Sequence, residues 1–457
     1  MKKIFAFTLT LLLLTITPPS LPKSFSFEIF YPKMGYPAIV ERGGSFEIII
    51  SKVDFSRIEA KIETSYEPTP DEIYVEIENV SIGEKIYIKA RIPELAPPEL
   101  YNITVLIDGV EKKEVRAVNV VENISQNFKI AHISDLHVGD PRGIRINLKE
   151  KINLRAIKKC IEEINLIHPD FAIITGDLVY GARYEEEYEK LYEILEEFDV
   201  PFYICPGNHD GYFKASEDGF NFWENYFGLK NYSFSYGNAQ FIMVNSYDWD
   251  KKDRLAFSLI PLNWGGAISD EQIKWIEEEL KEEYSIKFIC LHHNPLWDTK
   301  NNSLLGKSYY GREKLIDLIK NYSVNFVLAG HVHADDVTVF GATTFITTTT
   351  PSSSCRDYWG YRIIEFRNWS FYSCNYKEPK YSIPSYMLNI THEGDKKIFV
   401  ENNLEINLTL HLKFFVKSGN YKVMNGEVEQ IREKDGYMQI YVRSEVERES
   451  IKEIYLI

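Results

Sequence analysis

Five short segments of the chain carry side chains able to bind a metal ion. They are Ser134-Asp135-Leu136-His137, Gly176-Asp177-Leu178, Gly207-Asn208-His209-Asp210, Leu291-His292-His293-Asn294-Pro295 and Gly330-His331-Val332-His333. Imidazole nitrogens mixed with carboxylate and amide oxygens suit Mn, Fe or Zn, and a set without thiolates argues against a structural zinc site. Taken singly, each segment has an ordinary reading. Gly-Asp and Asn-His-Asp are common turn sequences, and Asp-x-His arises by chance. Gly330-His331-Val332-His333 is more pointed, because two histidines after a buried strand seldom serve packing alone. All of them in this order, each directly after a predicted strand, point to one site.

The elements that must position them follow from periodicity. Strands are predicted at Lys129–Ser134, Phe171–Thr175, Phe202–Cys205, Lys287–Leu291 and Phe326–Ala329. Between them, Lys149–Leu166, Tyr184–Phe198, Asp270–Glu283 and Arg312–Lys320 place apolar residues at helical spacing. Ser269 is a candidate N-cap for the third helix. Strand–helix alternation predicts an α/β layered domain whose site lies at the strand C-termini, where residues far apart in sequence converge. An aromatic-rich insertion from about Gly211 to Gly266 interrupts the alternation. It reads as a capping subdomain with its own small core, or as a surface that stacks a base or holds an acyl chain.

The chain has 457 residues, so two or three domains are expected. Residues 24–125 read as an immunoglobulin-like or fibronectin-like β-sandwich, from short alternating runs such as Phe46–Ile50 and a hairpin turn at Asp108-Gly109. Residues 126–376 hold the α/β pattern, and 377–457 return to short alternating runs, read as a small C-terminal β module. Lys2 and Lys3 precede an apolar run to Ile16 and then Pro18-Pro19, so residues 1–23 resemble a secretory signal, with an uncleaved anchor as the rival. Sequons at Asn79, Asn102, Asn123, Asn231, Asn389 and Asn407 agree with export to the cell surface or beyond. With 52 Lys+Arg against 67 Asp+Glu, the net charge of −15 disfavours nucleic acid as a general partner. A membrane would be met only through the N-terminal anchor. The five cysteines do not make a disulfide scaffold; Cys205 and Cys290 read as buried hydrophobes, and Cys355 and Cys374 are able to pair.

The constellation from Asp135 to His333 resembles the calcineurin-like metallophosphoesterase superfamily. The resemblance implies a four-layered α/β/β/α sandwich holding two metal ions (Mn, Fe or Zn) and hydrolysis of a phosphate ester, monoester or diester. By motif, one ion takes Asp135, His137 and His333, Asp177 bridges, and the other takes Asn208, His293 and His331. The family's fourth motif places its ligand two residues before a proline, which selects His293 over His292. A hydroxide between the ions then attacks phosphorus in line. His209 is the family's expected proton donor to the leaving oxygen, with Asp210 orienting its imidazole or lying in a solvated turn. Asp177-Leu178-Val179-Tyr180 is similar to the purple acid phosphatases, but His137 stands where that branch has glycine, so Tyr180 is expected beside the metals and not on them. A surface-binding protein using the domain as a scaffold, and a nuclease of the same superfamily, are the alternatives.

Overall fold

The structure, a computed structural model, describes residues 26–64, 71–141, 152–214, 217–257, 260–297, 307–356 and 358–457. The segment expected to direct export, 1–23, lies outside the described residues. Among the described residues no helix is long and apolar enough to cross a membrane.

The N-terminal part is two sheets. Ile29–Tyr31, Ser45–Ser51, Lys85–Arg91 and Glu76–Ile82 form one, and Ala38–Glu41, Val110–Val121, Glu99–Ile107, Ile58–Glu63 and Glu72–Tyr74 the other. Alternate burial along Ser45–Ser51 and Lys85–Arg91 sends Ile48, Ile50, Ile86 and Ile88 inward. There they share one core with Ile62, Ile103, Val105 and Val118 of the second sheet. Asn102 is buried here and its Oδ1 accepts from Arg116 N–H.

The middle of the chain supplies β1 (Phe128–Ile133), α1 (Ile152–Ile167), β2 (Phe171–Thr175), α2 (Tyr184–Leu195), β3 (Phe202–Cys205), α3 (Gly219–Tyr226), β4 (Tyr232–Tyr236), β5 (Ala239–Met243), α4 (Asp270–Leu280), β6 (Ile286–Cys290), α5 (Arg312–Asn321), β7 (Phe326–Ala329), β8 (Asp336–Phe340), β9 (Thr343–Thr347), β10 (Gly360–Arg367) and β11 (Ser370–Ser373). One sheet runs β3-β2-β1-β10-β11, with β1, β2 and β3 parallel; the other runs β4-β5-β6-β7-β9-β8, with β5, β6, β7 and β9 parallel. The sheets meet face to face through Phe128, Ile130, Phe171, Ile173 and Tyr203 on one side and Phe241, Met243, Phe288, Cys290 and Leu328 on the other. The intervening residues face outward. Ala131, Ile133, Ala172 and Ile174 pack with α1 and α2, while Ile242, Ile289, Leu291 and Val327 pack with α4 and α5. Layers therefore run helix, sheet, sheet, helix. Strands covered on both faces must be apolar throughout, which is why they read as unbroken hydrophobic runs.

The aromatic insertion does not build a core of its own. Phe220, Trp223 and Phe227 join the cluster formed by Tyr184, Tyr188 and Leu191 of α2. Arg254 reaches back to Asp218, the N-cap of α3, with a paired contact at 2.8 and 3.1 Å. Cys205 and Cys290 are buried as expected, and Cys374 is a free buried thiol, so no Cys355–Cys374 bridge forms.

The C-terminal strands also share the central core. Leu410, Leu412 and Phe414 of strand Leu408–Lys417, with Val400, Ile440 and Ile454, lie in the cluster that holds Ile157, Ile161 and Ile164 of α1. Leu410→Ala is therefore expected to cost about 2–5 kcal/mol and to lower the melting of the whole unit in one calorimetric transition; a separate low-temperature C-terminal transition would refute the shared core. Glu163 of α1 faces this seam, accepting from Tyr386 N–H at 2.7 Å, and burial pushes its carboxyl up to about 7. From about pH 4.5 to 7 the folded chain keeps a proton that the unfolded chain releases, so stability falls as pH rises through that window. Glu163→Gln should flatten this slope in urea titrations across pH and raise stability at pH 8.

Candidate metal centre

Every candidate ligand lies just past the C-terminal end of a parallel strand. Asp135 and His137 follow β1, Asp177 follows β2, Asn208 and His209 follow β3, His292 and His293 follow β6, and His331 and His333 follow β7. The loops interlock through backbone: Asp135 N–H donates to Gly176 O at 3.0 Å, and His137 N–H to Asp177 O at 2.9 Å. Glycine permits the approach. A Cβ on Gly207 would lie 2.2 Å from Asp177 Oδ1, and one on Gly330 would lie 1.7 Å from Ser134 Oγ. Asp135, His137, Asp177, His331 and His333 all adopt left-handed backbone, with φ between 47° and 74°. Non-glycine residues rarely do so, and each costs on the order of 1–3 kcal/mol, so the tight packing of the loops must hold them there.

The side chains converge in a buried space. His137 Nε2 and His333 Nε2 are 3.0 Å apart, and Asp135 Oδ1 lies 3.2 Å from His333 Nε2 and 3.6 Å from His137 Nε2. Asp177 Oδ2 lies 3.6 Å from His137 Nε2 and 3.2 Å from His292 Nε2. His292 Nε2 in turn is 3.2 Å from His331 Nδ1. Asp177 thus stands between two imidazole groups, one on the β1 and β7 loops and one on the β6 and β7 loops. Asp135 Oδ1 and Asn208 Oδ1 are buried without a hydrogen-bond partner. Lone pairs facing one another in a dry pocket are costly unless a cation lies among them.

The ionisation pattern agrees. Burial opposes charge on Asp135, but the His333 and His292 rings outweigh it and hold the carboxyl well below its usual range. Burial also lowers His292, yet Asp177 and Asp135 draw a proton onto it and push it to about 9. That proton marks the place where positive charge is wanted. Burial takes His331 down to about 3 and His209 to about 4, leaving both neutral.

Residues 128–335 match the family model described as calcineurin-like phosphoesterase. The chain carries a calcineurin-like phosphoesterase domain. It is 28% identical over 228 residues to a probable glycerophosphodiester phosphodiesterase of Arcobacter nitrofigilis, spanning 49% of this chain and 78% of that protein. It is likewise 28% identical over 214 residues to a 3',5'-cyclic-nucleotide phosphodiesterase of Nostoc sp., spanning 46% of this chain and 72% of that protein. Among solved structures, a purple acid phosphatase from yellow lupin (Lupinus luteus) seeds aligns with 89% of this chain and 72% of its own, at 13% identity and a TM-score of 0.42. By family, the protein is a phosphoric ester hydrolase.

The phosphoesterase domain brings Asp135, His137, Asp177, His331 and His333 close together, with Asn208 on the loop after β3. His293 stands differently. Its Nδ1 contacts Ser246 Oγ and its Nε2 contacts Trp264 O, each at 2.9 Å, whereas its neighbour His292 faces both carboxylates with Nδ1 held by Thr175 O at 2.7 Å. Strand parity carries this signal. Phe288 and Cys290 face the other sheet while Ile289 and Leu291 face the helices, so continuing the alternation sends His292 toward Asp135 and Asp177.

Asp210 does not orient His209. Its carboxylate accepts from Leu178, Val179 and Gly207 N–H at 2.9, 3.1 and 2.8 Å, and the acceptor for His209 Nδ1 is Tyr180 O at 2.7 Å. The buried carboxyl is spent on the backbone of the Asp177 and Asn208 loops. Tyr180 lies beside the centre, its ring 6.1 Å from that of His137. The Thr347–Ser354 run, unremarkable in sequence, braces the ligands: Thr350 Oγ1 donates to Asp135 O, Ser352 Oγ to Leu136 O, and Ser354 O holds His333 Nδ1. Asn208 Nδ2 donates to Tyr212 Oη at 2.5 Å, while its Oδ1 is buried without a partner. Asp210→Asn would leave at least one of its three donors unmet. It is expected to cost about 1–3 kcal/mol in urea unfolding and to lower turnover by loosening both loops; an unchanged midpoint would contradict this role.

Proposed function

We propose that the chain is an exported phosphodiesterase that works through a dinuclear metal centre. The observation that carries this reading is the buried convergence of Asp135, Asp177, His137, His292, His331 and His333, with Oδ1 of Asp135 and of Asn208 left without a partner. Asp135, His137 and His333 would hold one ion, and Asn208, His292 and His331 the other, with Asp177 shared. Potential ligand groups in the structure include Asp135–His137–His333, Asp135–Asp177–His292 and His292–His293–His331. A metal pair bound there supplies neutralisation of the phosphoryl oxygens and a water-derived nucleophile.

The chain's own residues do the rest. Ser354 O and Thr175 O accept from Nδ1 of His333 and His292, which leaves Nε2 of each facing the centre, where a bound metal would take the place of a proton. His209 is tied through Nδ1–H to Tyr180 O, so its Nε2 is the atom that meets the leaving oxygen. Burial disfavours a charged His209, and a dianionic or monoanionic substrate beside it supplies the counter-charge that lets Nε2 carry a proton. Diesters are favoured by the names of the relatives above, both phosphodiesterases. The apolar run at Ile4–Ile16 behind Lys2-Lys3 supports export.

The test is hydrolysis of bis-p-nitrophenyl phosphate and p-nitrophenyl phosphate with Mn²⁺, Zn²⁺ or Fe supplied, alongside metal counting on variants. Metal-dependent turnover that favours the diester and vanishes in His331→Ala is expected. His292→Ala should lose about one metal equivalent per chain and His293→Ala should keep it; the reverse would return His293 to the ligand set. Folded, metal-loaded protein inert on both esters would overturn the reading.

A further inference from the structure

A cavity of about 930 Å³ opens where the three parts of the chain meet, lined among others by Glu99, His168, Asp199, His411, Lys413 and Glu429. None of the ligands of the phosphoesterase centre lines it. His168 sits between α1 and β2 in left-handed backbone, φ +50°, and turns its ring to the cavity. There it closes α1, its N–H donating to Ile164 O at 2.8 Å. His411 comes from strand Leu408–Lys417 of the C-terminal part, and the two ring centroids are 5.0 Å apart.

The surroundings of the pair are those of a ligand site. Glu429 Oε2 lies 2.8 Å from His411 Nδ1, so that Nδ1–H donating to it would leave Nε2 as the ligand atom. A carboxylate behind an imidazole is the usual support of a metal-binding histidine. His168 is exposed toward the cavity, with the His411 ring beside it. Lys413, the cation beside the pair, is bonded to Asp199 at 2.9 Å.

We propose that His168 and His411 hold a divalent transition-metal ion of the Zn²⁺ class, bridging the phosphoesterase domain to the C-terminal strands. Imidazole donors suit such ions over Mg²⁺ or Ca²⁺, and the cavity has room for water at the remaining positions. The ion ties α1 to strand Leu408–Lys417 across the seam they already share.

The full chain, with its catalytic metals supplied, is dialysed against buffered Zn²⁺ and its zinc counted beside His168→Ala, His411→Gln and Glu429→Gln. One zinc fewer per chain is expected in each histidine variant, with phosphodiester turnover retained. Glu429→Gln should keep that zinc but bind it about 10–100-fold more weakly. Added Zn²⁺ should raise the melting temperature of the wild type beyond its catalytically loaded value and leave both histidine variants unmoved. His168→Ala, at an exposed position, carries the count if His411→Gln fails to fold. Equal zinc counts in the wild type and His168→Ala overturn the proposal, whatever the outcome of the ester assays.

Discussion

The structure depends on holding carboxylates and imidazoles against one another away from water. Asp135, Asp177, His137, His292, His331 and His333 place lone pairs within 3.0–3.8 Å of each other in a buried pocket. Such a cluster disfavours folding on its own. It is held by loops that are cross-bonded and closely packed by glycine, and a cation bound among the lone pairs would turn mutual repulsion into attraction. The same reasoning explains the left-handed backbone at five of these positions. Loops that needed no fixed geometry would relax out of it.

Two sheets with parallel strands at their centres are the physical answer to that constraint. A strand buried on both faces cannot shift in register without driving its neighbours' side chains into the wrong layer. The strand ends are accordingly the stiffest places from which a short loop can start. Five of these strands end on one edge of the sandwich, and each of their loops needs only two or three residues to reach its first candidate ligand. The braces come from farther along the chain. The Thr347–Ser354 run holds the Asp135 and His333 loops, and Asp210 holds those of Asp177 and Asn208.

The flanking β parts are continuous with this frame. Tyr36 stacks on Tyr232 with ring centroids 4.0 Å apart, and Tyr203 and Tyr232 bond to carbonyls of Pro37 and Gly35. The C-terminal strands bury their apolar face on α1, and Arg432 bonds to Tyr101 Oη of the N-terminal part at 2.8 Å. Each part thus touches the other two, and the cavity at their meeting point is bounded by all three. Movement at that junction would pass directly into α1, whose N-terminal side holds Leu136 O and Ser352 O through Asn153.

By itself the sequence determined which short segments carry metal-capable side chains and which strands those segments follow. β2, β3 and β7 fall where alternation of apolar runs and helical spacing put them, and Ser269 caps α4 by accepting from Gln272 N–H. These are local properties: a doubly buried strand must be apolar throughout, and a cap must offer an oxygen to a free N–H. Tertiary structure decided what local properties do not contain. Whether His292 or His293 turns toward the carboxylates depends on which face of β6 meets the other sheet. Whether Asp210 serves an imidazole or a backbone depends on how close the β2 and β3 loops come. The Gly211–Gly266 insertion and the C-terminal strands carry apolar faces suited equally to a private core or a shared one. Only the neighbours α2 and α1 settle that they are shared, because burial is a property of a pair of surfaces and one surface cannot specify its partner.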